Sequence, residues 1–170
     1  LSQRYVGQPF TVVNAAVADV AGTTALMICD QCDECSTLSE DFRASYADGN
    51  KLTWTNTTEV SAVTLGGLQQ QYGTPAFCKI DVEGMEWRVL KGMGAPIPII
   101  EFEYNYKMKQ EAIGCIQLLQ QRGNYLFNFT PYEQMALVQE QWVSANELIS
   151  RFDAWVKPAV LTGEILARLQ

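Results

Sequence analysis

Two carboxylates at the ends of apolar segments are the residues whose positions first suggest chemistry. Asp81 ends the run 76–81, and Glu101 ends the run 97–101. Both runs have the length and composition of buried strands, and the segment 85–91 between them predicts a crossover helix. In open α/β sheets, ligands bind in the crevice beyond the carboxyl ends of the parallel strands. Asp81 and Glu101 are therefore the first candidates for functional residues.

Lys79 gives the same carboxylates a second, structural interpretation. It precedes Asp81 by two residues, so both side chains are expected on one face of a strand. A lysine in a buried strand must be neutralised by a partner. Lys79, Asp81 and Glu101 could thus form an internal ion-pair network that shifts pKa values without catalysing a reaction. We favour the functional interpretation because ligands bind at the ends of such strands.

The spacing Cys29-x-x-Cys32-x-x-Cys35 is the second feature that could do chemistry. Zinc and iron–sulfur sites use such closely spaced thiolates, and Cys78 or Cys115 could complete a set of four ligands. Two observations argue against a bound metal. The segment is rich in acidic residues, and Cys78 and Cys115 fall in a predicted strand and a predicted helix. We predict no metal here and keep a metal-binding module as an alternative.

Composition restricts the remaining function classes. The chain has 170 residues, of which 48% are hydrophobic and 18% charged, and this predicts a single domain over residues 1–170. The net charge of -7 argues against a nucleic-acid partner. No apolar stretch is long enough to span a membrane, and five cysteines without a need for disulfides favour a reducing, cytoplasmic location. The absence of histidine excludes Ser-His and Cys-His hydrolases.

The order of apolar patterns predicts an α/β fold with a mostly parallel sheet and an antiparallel pair of C-terminal strands. A long polar loop is expected over 29–50 and a terminal helical turn at 165–169. Strands are predicted at 10–18, 25–28, 52–54, 59–63, 76–81, 97–101, 125–128 and 135–138, and helices at 65–72, 85–91, 107–122 and 144–155, the last opened by a Ser-x-x-Glu capping box.

Several segments resemble the FkbM-type methyltransferases, which use S-adenosylmethionine. They occur in the family's order, and the run K-I-D-V-E-G-x-E followed by V-L-K-G is their most specific part. One departure is Gly66, where the family usually has an aspartate that could cap a helix. The matching segments are 13–19 with Gly22, 63–65, 79–86, 89–92 and 98–101, which together extend over roughly 10–103.

The resemblance implies a Rossmann-like fold and methyl transfer, commonly to a hydroxyl of a natural product or sugar. Because a carboxylate must serve as the base, Asp81 is the first choice, followed by Glu83 and Glu101. All three could instead bind a divalent cation, and Glu83 has a structural alternative as an acid at a helix N-terminus. By the same resemblance, Ala16 and Asp19 are the candidates for contacts to the cofactor's adenine.

The family's glycine-rich cofactor loop and ribose-binding acid have no counterpart in this sequence. A glycine-rich cofactor loop follows a strand, opens a helix and contains three glycines. Gly92 and Gly94 instead follow a predicted helix, and the glycine pair 66–67 lacks a third glycine. We therefore expect the C-terminal part of a longer enzyme, with the N-terminal part of the domain absent. A catalytically inactive interaction module is the alternative. Missing strands would leave an open edge beside 10–18 or 76–81, which predicts a homodimer that covers it.

Overall fold

The computed structural model describes residues 10–47, 52–132, 137–155 and 162–170, which form seven strands and five α-helices. The strands are β1 (Ala16–Ala18), β2 (Gly22–Ile28), β3 (Asn56–Thr64), β4 (Phe77–Ile80), β5 (Ile99–Asn105), β6 (Tyr125–Pro131) and β7 (Thr162–Leu169). The helices are α1 (Glu40–Ala47), α2 (Leu65–Tyr72), α3 (Glu86–Lys91), α4 (Lys109–Arg122) and α5 (Ala145–Trp155). None of these helices is long and apolar enough to cross a membrane.

The strands form two mixed sheets, with the orders β1-β3-β2 and β4-β5-β7-β6. β1 runs parallel to β3 and β4 parallel to β5, whereas β2 runs antiparallel to β3, and β7 runs antiparallel to both β5 and β6. The α/β class, the mixed strand pairing and the antiparallel C-terminal strands are thus confirmed, but antiparallel pairs outnumber parallel pairs by three to two, so the sheets are not mostly parallel. One cause is the short turn between β1 and β2. A connection of so few residues reverses the chain direction, so the two strands run in opposite directions, whereas parallel strands need a longer crossover.

The core lies on one face of the four-stranded sheet. On this face, β5 contributes the buried side chains of Ile100, Phe102 and Tyr104, and β7 contributes those of Ile165 and Ala167. The apolar stripe of α4 covers this face, and its buried members are Ala112, Cys115, Ile116 and Leu119. Because successive strand residues point to opposite faces, this packing sends the intervening carboxylates of β5 to the other side of the sheet.

Several sequence predictions hold closely. Helix α2 has the predicted bounds, with the Thr64 side chain accepting a hydrogen bond from Gly67 N at its start and Gly73 at its end. Helix α5 begins where the capping box indicated, and Ser144 Oγ accepts a hydrogen bond from Glu147 N at 3.3 Å. Local capping chemistry is sufficient to define these ends.

Other predictions were wrong. The predicted strand 10–18 is a strand only from Ala16, and Phe10, Val12 and Val13 are exposed among the described residues. Residues 52–54 form no strand, and the predicted loop 29–50 contains α1. The terminal segment is β7 and not a helical turn, since pairing on both sides with β5 and β6 outweighs local preference.

The second strand of the predicted C-terminal pair is also misplaced. The prediction at 135–138 falls partly outside the described residues, and Leu137 and Val138 are not in a strand. β7, from the end of the chain, is the antiparallel partner of β6. A partner this distant in sequence carries no local signal.

Candidate active site

Three carboxylates meet near the carboxyl ends of β4 and β5, two of them from residues that follow β4 and the third from Glu103 within β5. The chain turns sharply after β4, with positive φ angles of 52° at Glu83 and 89° at Gly84, and α3 follows. One oxygen each from Asp81, Glu83 and Glu103 lies within 4.8 Å of the other two. We call these three residues the acidic cluster. Its oxygen ligands and their spacing are of the kind that could hold a divalent cation.

Two members of the acidic cluster, Glu83 and Glu103, have raised pKa values. Burial and the nearby charge of Glu83 raise the pKa of Glu103 to about 8. Burial and the nearby charge of Asp81 raise the pKa of Glu83 to about 7. Close carboxylates cannot all ionise readily in a partly buried place. At neutral pH the cluster therefore keeps a proton that it can exchange, which suits a general acid or base.

Lys79 contacts Asp81 of the acidic cluster and two carboxylates outside it. Its Nζ lies 2.7 Å from Glu164 Oε1, 3.6 Å from Asp81 Oδ2 and 3.7 Å from Glu101 Oε1. The hydrogen bond to Glu164 is the main cause that raises the pKa of Lys79 to about 12. The predicted ion-pair network is thus present. The expected burial of the lysine was wrong, because its side chain is 45% exposed on β4, at the edge of the sheet.

The structure divides the three predicted catalytic residues between two groups. Asp81 and Glu83 belong to the acidic cluster, whereas Glu101 faces Lys79. Sequence reasoning missed Glu103, although β5 carries it two residues after Glu101 and on the same face. It also missed Glu164, which lies opposite Glu103 in the pairing of β5 with β7. The two-residue period could have revealed Glu103, but only tertiary pairing could reveal Glu164.

A cavity of about 600 Å³ adjoins the acidic cluster. Asp81 and Glu83 form one wall, and Thr37 lies in another, where its Oγ1 donates a hydrogen bond to Glu83 O at 2.7 Å. The remaining lining comes from residues 13–17, from Leu26, Glu34, Ser36 and Leu38, from residues 59–61, and from Val82 and Met85. This volume is typical of small-molecule sites.

A second, larger cavity of about 690 Å³ lies elsewhere, beside Trp87, Lys107 and Glu111. It is lined by no member of the acidic cluster. We therefore take the smaller cavity as the candidate active site, because it combines concavity with two carboxylates of the acidic cluster.

The two predicted adenine contacts are also separated. Ala16 lines the cavity with Asp81 and Glu83, whereas Asp19 Oδ2 lies 3.6 Å from Lys91 Nζ and is not part of the lining. Within the described ranges, the acidic cluster is the one group of three or more His, Cys, Asp or Glu side chains with ligand atoms this close. Cys29, Cys32 and Cys35 do not form such a group.

Comparison with protein families identifies the family of the domain that contains these residues. The model of the methyltransferase FkbM domain matches residues 3–129. The chain belongs to the FkbM methyltransferase family. The match contains the acidic cluster, Lys79 and Glu101, and it ends within β6, so the resemblance of the 79–92 segment is confirmed. No curated protein and no solved structure matches the chain.

Proposed function

We propose that this FkbM methyltransferase domain transfers a methyl group from S-adenosylmethionine to a hydroxyl oxygen of a small molecule or sugar. The observation that carries the proposal is the acidic cluster, two of whose members, Asp81 and Glu83, line a cavity at the carboxyl end of β4, which runs parallel to β5. In α/β enzymes this is the position of bound ligands. A Rossmann-like arrangement of the whole domain is part of the same proposal.

Methyl transfer to a hydroxyl requires alignment of the reactants and a base. S-adenosylmethionine supplies a methyl group on a positively charged sulfonium. The acceptor oxygen forms a bond to the methyl carbon as the carbon–sulfur bond breaks, and the hydroxyl proton passes to a carboxylate. Asp81 is the proposed base, because it is the most exposed member of the acidic cluster. Ionised carboxylates of the acidic cluster would attract a sulfonium cation.

The cavity fits only part of the cofactor. Ala16 and Val17 give it an apolar wall suited to a flat ring, and the carboxylates suit the sulfonium. A glycine-rich loop that follows a strand and opens a helix is absent from the sequence, so the chain lacks this source of backbone amides for the cofactor's own carboxylate. We therefore expect the 170-residue chain alone to bind S-adenosylmethionine weakly.

Activity screening with Asp81→Asn tests the proposal. The enzyme that contains this chain is incubated with a panel of hydroxylated metabolites and sugars, and the release of S-adenosylhomocysteine is measured. Loss of the base should lower turnover by about 10²-fold or more, with an unchanged circular dichroism spectrum. The exposed Glu140→Gln removes the same charge far from the cavity and should retain activity. Near-wild-type turnover of Asp81→Asn would contradict the assignment of the base.

We also propose that a second copy of the chain covers the edge of β4. Within the described part of the chain, β5 is its one strand neighbour, and Phe77 and Ile99 beside this edge are 50% and 36% exposed. A two-fold pairing would satisfy the open backbone groups of both copies at once. Light scattering at low micromolar concentration should give twice the chain mass of 19.0 kDa. A stable monomer would refute this arrangement.

A further inference from the structure

Two of the five cysteines form a close pair that the proposed methyl transfer does not use. Cys32 Sγ and Cys35 Sγ lie 2.8 Å apart, and both residues are partly exposed. Cys29, the third cysteine of the segment, is buried, and its thiol faces Gln31. A disulfide bond has a length of about 2.05 Å, so only a small movement separates the pair from a covalent bond.

The local backbone holds the pair in place. Cys35 N donates to Cys32 O at 3.1 Å, which closes a short 3₁₀ turn and puts both thiols on one side. Trp54 Nε1 donates to Cys35 O at 2.9 Å from the opposite side of the loop. Since these contacts already fix the turn, little conformational freedom is lost when the two sulfurs join.

We propose that Cys32 and Cys35 form a thiol–disulfide exchange site that reacts with small-molecule disulfides such as oxidised glutathione. In the first step, the Cys32 thiolate attacks one glutathione sulfur, a mixed disulfide forms, and one glutathione thiolate leaves. In the second step, Cys35 Sγ attacks Cys32 Sγ and releases the second glutathione. The two cysteines are oxidised to one disulfide, and oxidised glutathione is reduced to two thiols.

The environment of the pair assigns these two roles. Burial and the hydrogen bond with Cys32 raise the pKa of Cys35 to about 12, so this thiol is protonated at neutral pH. The thiolate is the nucleophile in exchange reactions. Cys32 is therefore the attacking residue. Once Cys32 is in the mixed disulfide, its hydrogen bond and its charge no longer oppose ionisation of Cys35, which loses its proton to solvent and resolves the mixed disulfide as a thiolate, and the departing glutathione thiolate takes up a proton.

The exchange site adjoins the cavity of the candidate active site. Glu34 and Ser36, the neighbours of the pair, line that cavity, and Thr37 Oγ1 is bonded to Glu83 O. A disulfide here would stiffen the wall that faces the acidic cluster. The inference does not depend on methyl transfer, because it rests on the thiols alone.

Mass spectrometry of the reduced 170-residue chain tests the inference. The protein is incubated without oxygen in oxidised glutathione, quenched with acid, alkylated and mapped by peptide. We expect one disulfide between Cys32 and Cys35, with three cysteines alkylated. Cys35→Ser should accumulate a glutathione adduct on Cys32, and Cys32→Ser should react at least tenfold more slowly. The matched control Cys78→Ser should form the disulfide like the wild type.

Two results would overturn the inference. Alkylation of all five cysteines after incubation would show that the pair does not exchange. A stable glutathione adduct on Cys32 of the wild type would show that Cys35 cannot resolve it. The serine variants replace partly exposed residues, and circular dichroism checks that they fold.

Discussion

Replacing Glu103 by glutamine should stabilise the domain at alkaline pH and leave its stability nearly unchanged at pH 5. Burial, together with Glu83, raises the pKa of Glu103 to about 8. Its pKa in the unfolded chain is the ordinary value of 4.5. Between these values the folded state binds more protons than the unfolded state, so the free energy of unfolding decreases as the pH rises. Glutamine is neutral at every pH and has nearly the same shape as glutamate, so the Glu103→Gln variant lacks this decrease in the free energy of unfolding.

The size of the effect follows from the shift. At about 1.4 kcal/mol per pKa unit, a rise from 4.5 to about 8 corresponds to at most about 5 kcal/mol above pH 8. Glu103 is only partly buried, and water weakens its repulsion from the neighbouring carboxylates. We therefore expect Glu103→Gln to gain about 2 kcal/mol over the wild type at pH 8.5.

Urea unfolding followed by tryptophan fluorescence at pH 5 and pH 8.5, with a reducing agent present, measures this difference. Glu140→Gln is the matched control, because Glu140 is exposed and lines none of the cavities described above. Its stability should follow the wild type at both values of pH. If the free energy of unfolding of Glu103→Gln differs from that of the wild type by the same amount at pH 5 and pH 8.5, the inference that the pKa of Glu103 is raised is wrong.

Three further predictions concern structure and binding. Tyr125→Phe should lower the free energy of unfolding by about 1–3 kcal/mol, because the buried hydroxyl donates to Ile97 O and accepts from Ile97 N. Urea unfolding measures this loss, and an unchanged midpoint would contradict it. Gly66→Asp, which restores the usual family residue, should also destabilise the domain, because a Cβ at this position would lie 2.9 Å from Gly92 O. Thermal unfolding measures this effect, and a higher melting temperature would show that α2 and the end of α3 can move apart. Titration calorimetry of the 170-residue chain with S-adenosylmethionine should give no micromolar dissociation constant, and a tight complex would mean that residues of this chain replace the glycine loop.

The sequence by itself predicted what local chemistry decides. Helix α2 has the predicted bounds 65–72 and ends at Gly73, and the apolar stripe and Gly123 predicted α4 and its C-terminal end, although its start lies two residues after the predicted one. The motif at 79–92 indicated the FkbM family, which the family comparison confirmed over residues 3–129. It also directed attention to Asp81 and Glu83, both of which lie in the acidic cluster. Capping, periodicity and short motifs need only neighbours in sequence.

Only the tertiary structure decided which side chains meet. Glu103 joins Asp81 and Glu83 because β5 continues beyond its predicted end, and Glu164 binds Lys79 because the last strand pairs with β5. Strand pairing depends on backbone hydrogen bonds and packing between distant segments, and a local apolar pattern does not specify the partner. For the same reason the sequence predicted candidate carboxylates, whereas the pairing of β4, β5 and β7 determined which of them form the acidic cluster and which contact Lys79, Asp81 doing both.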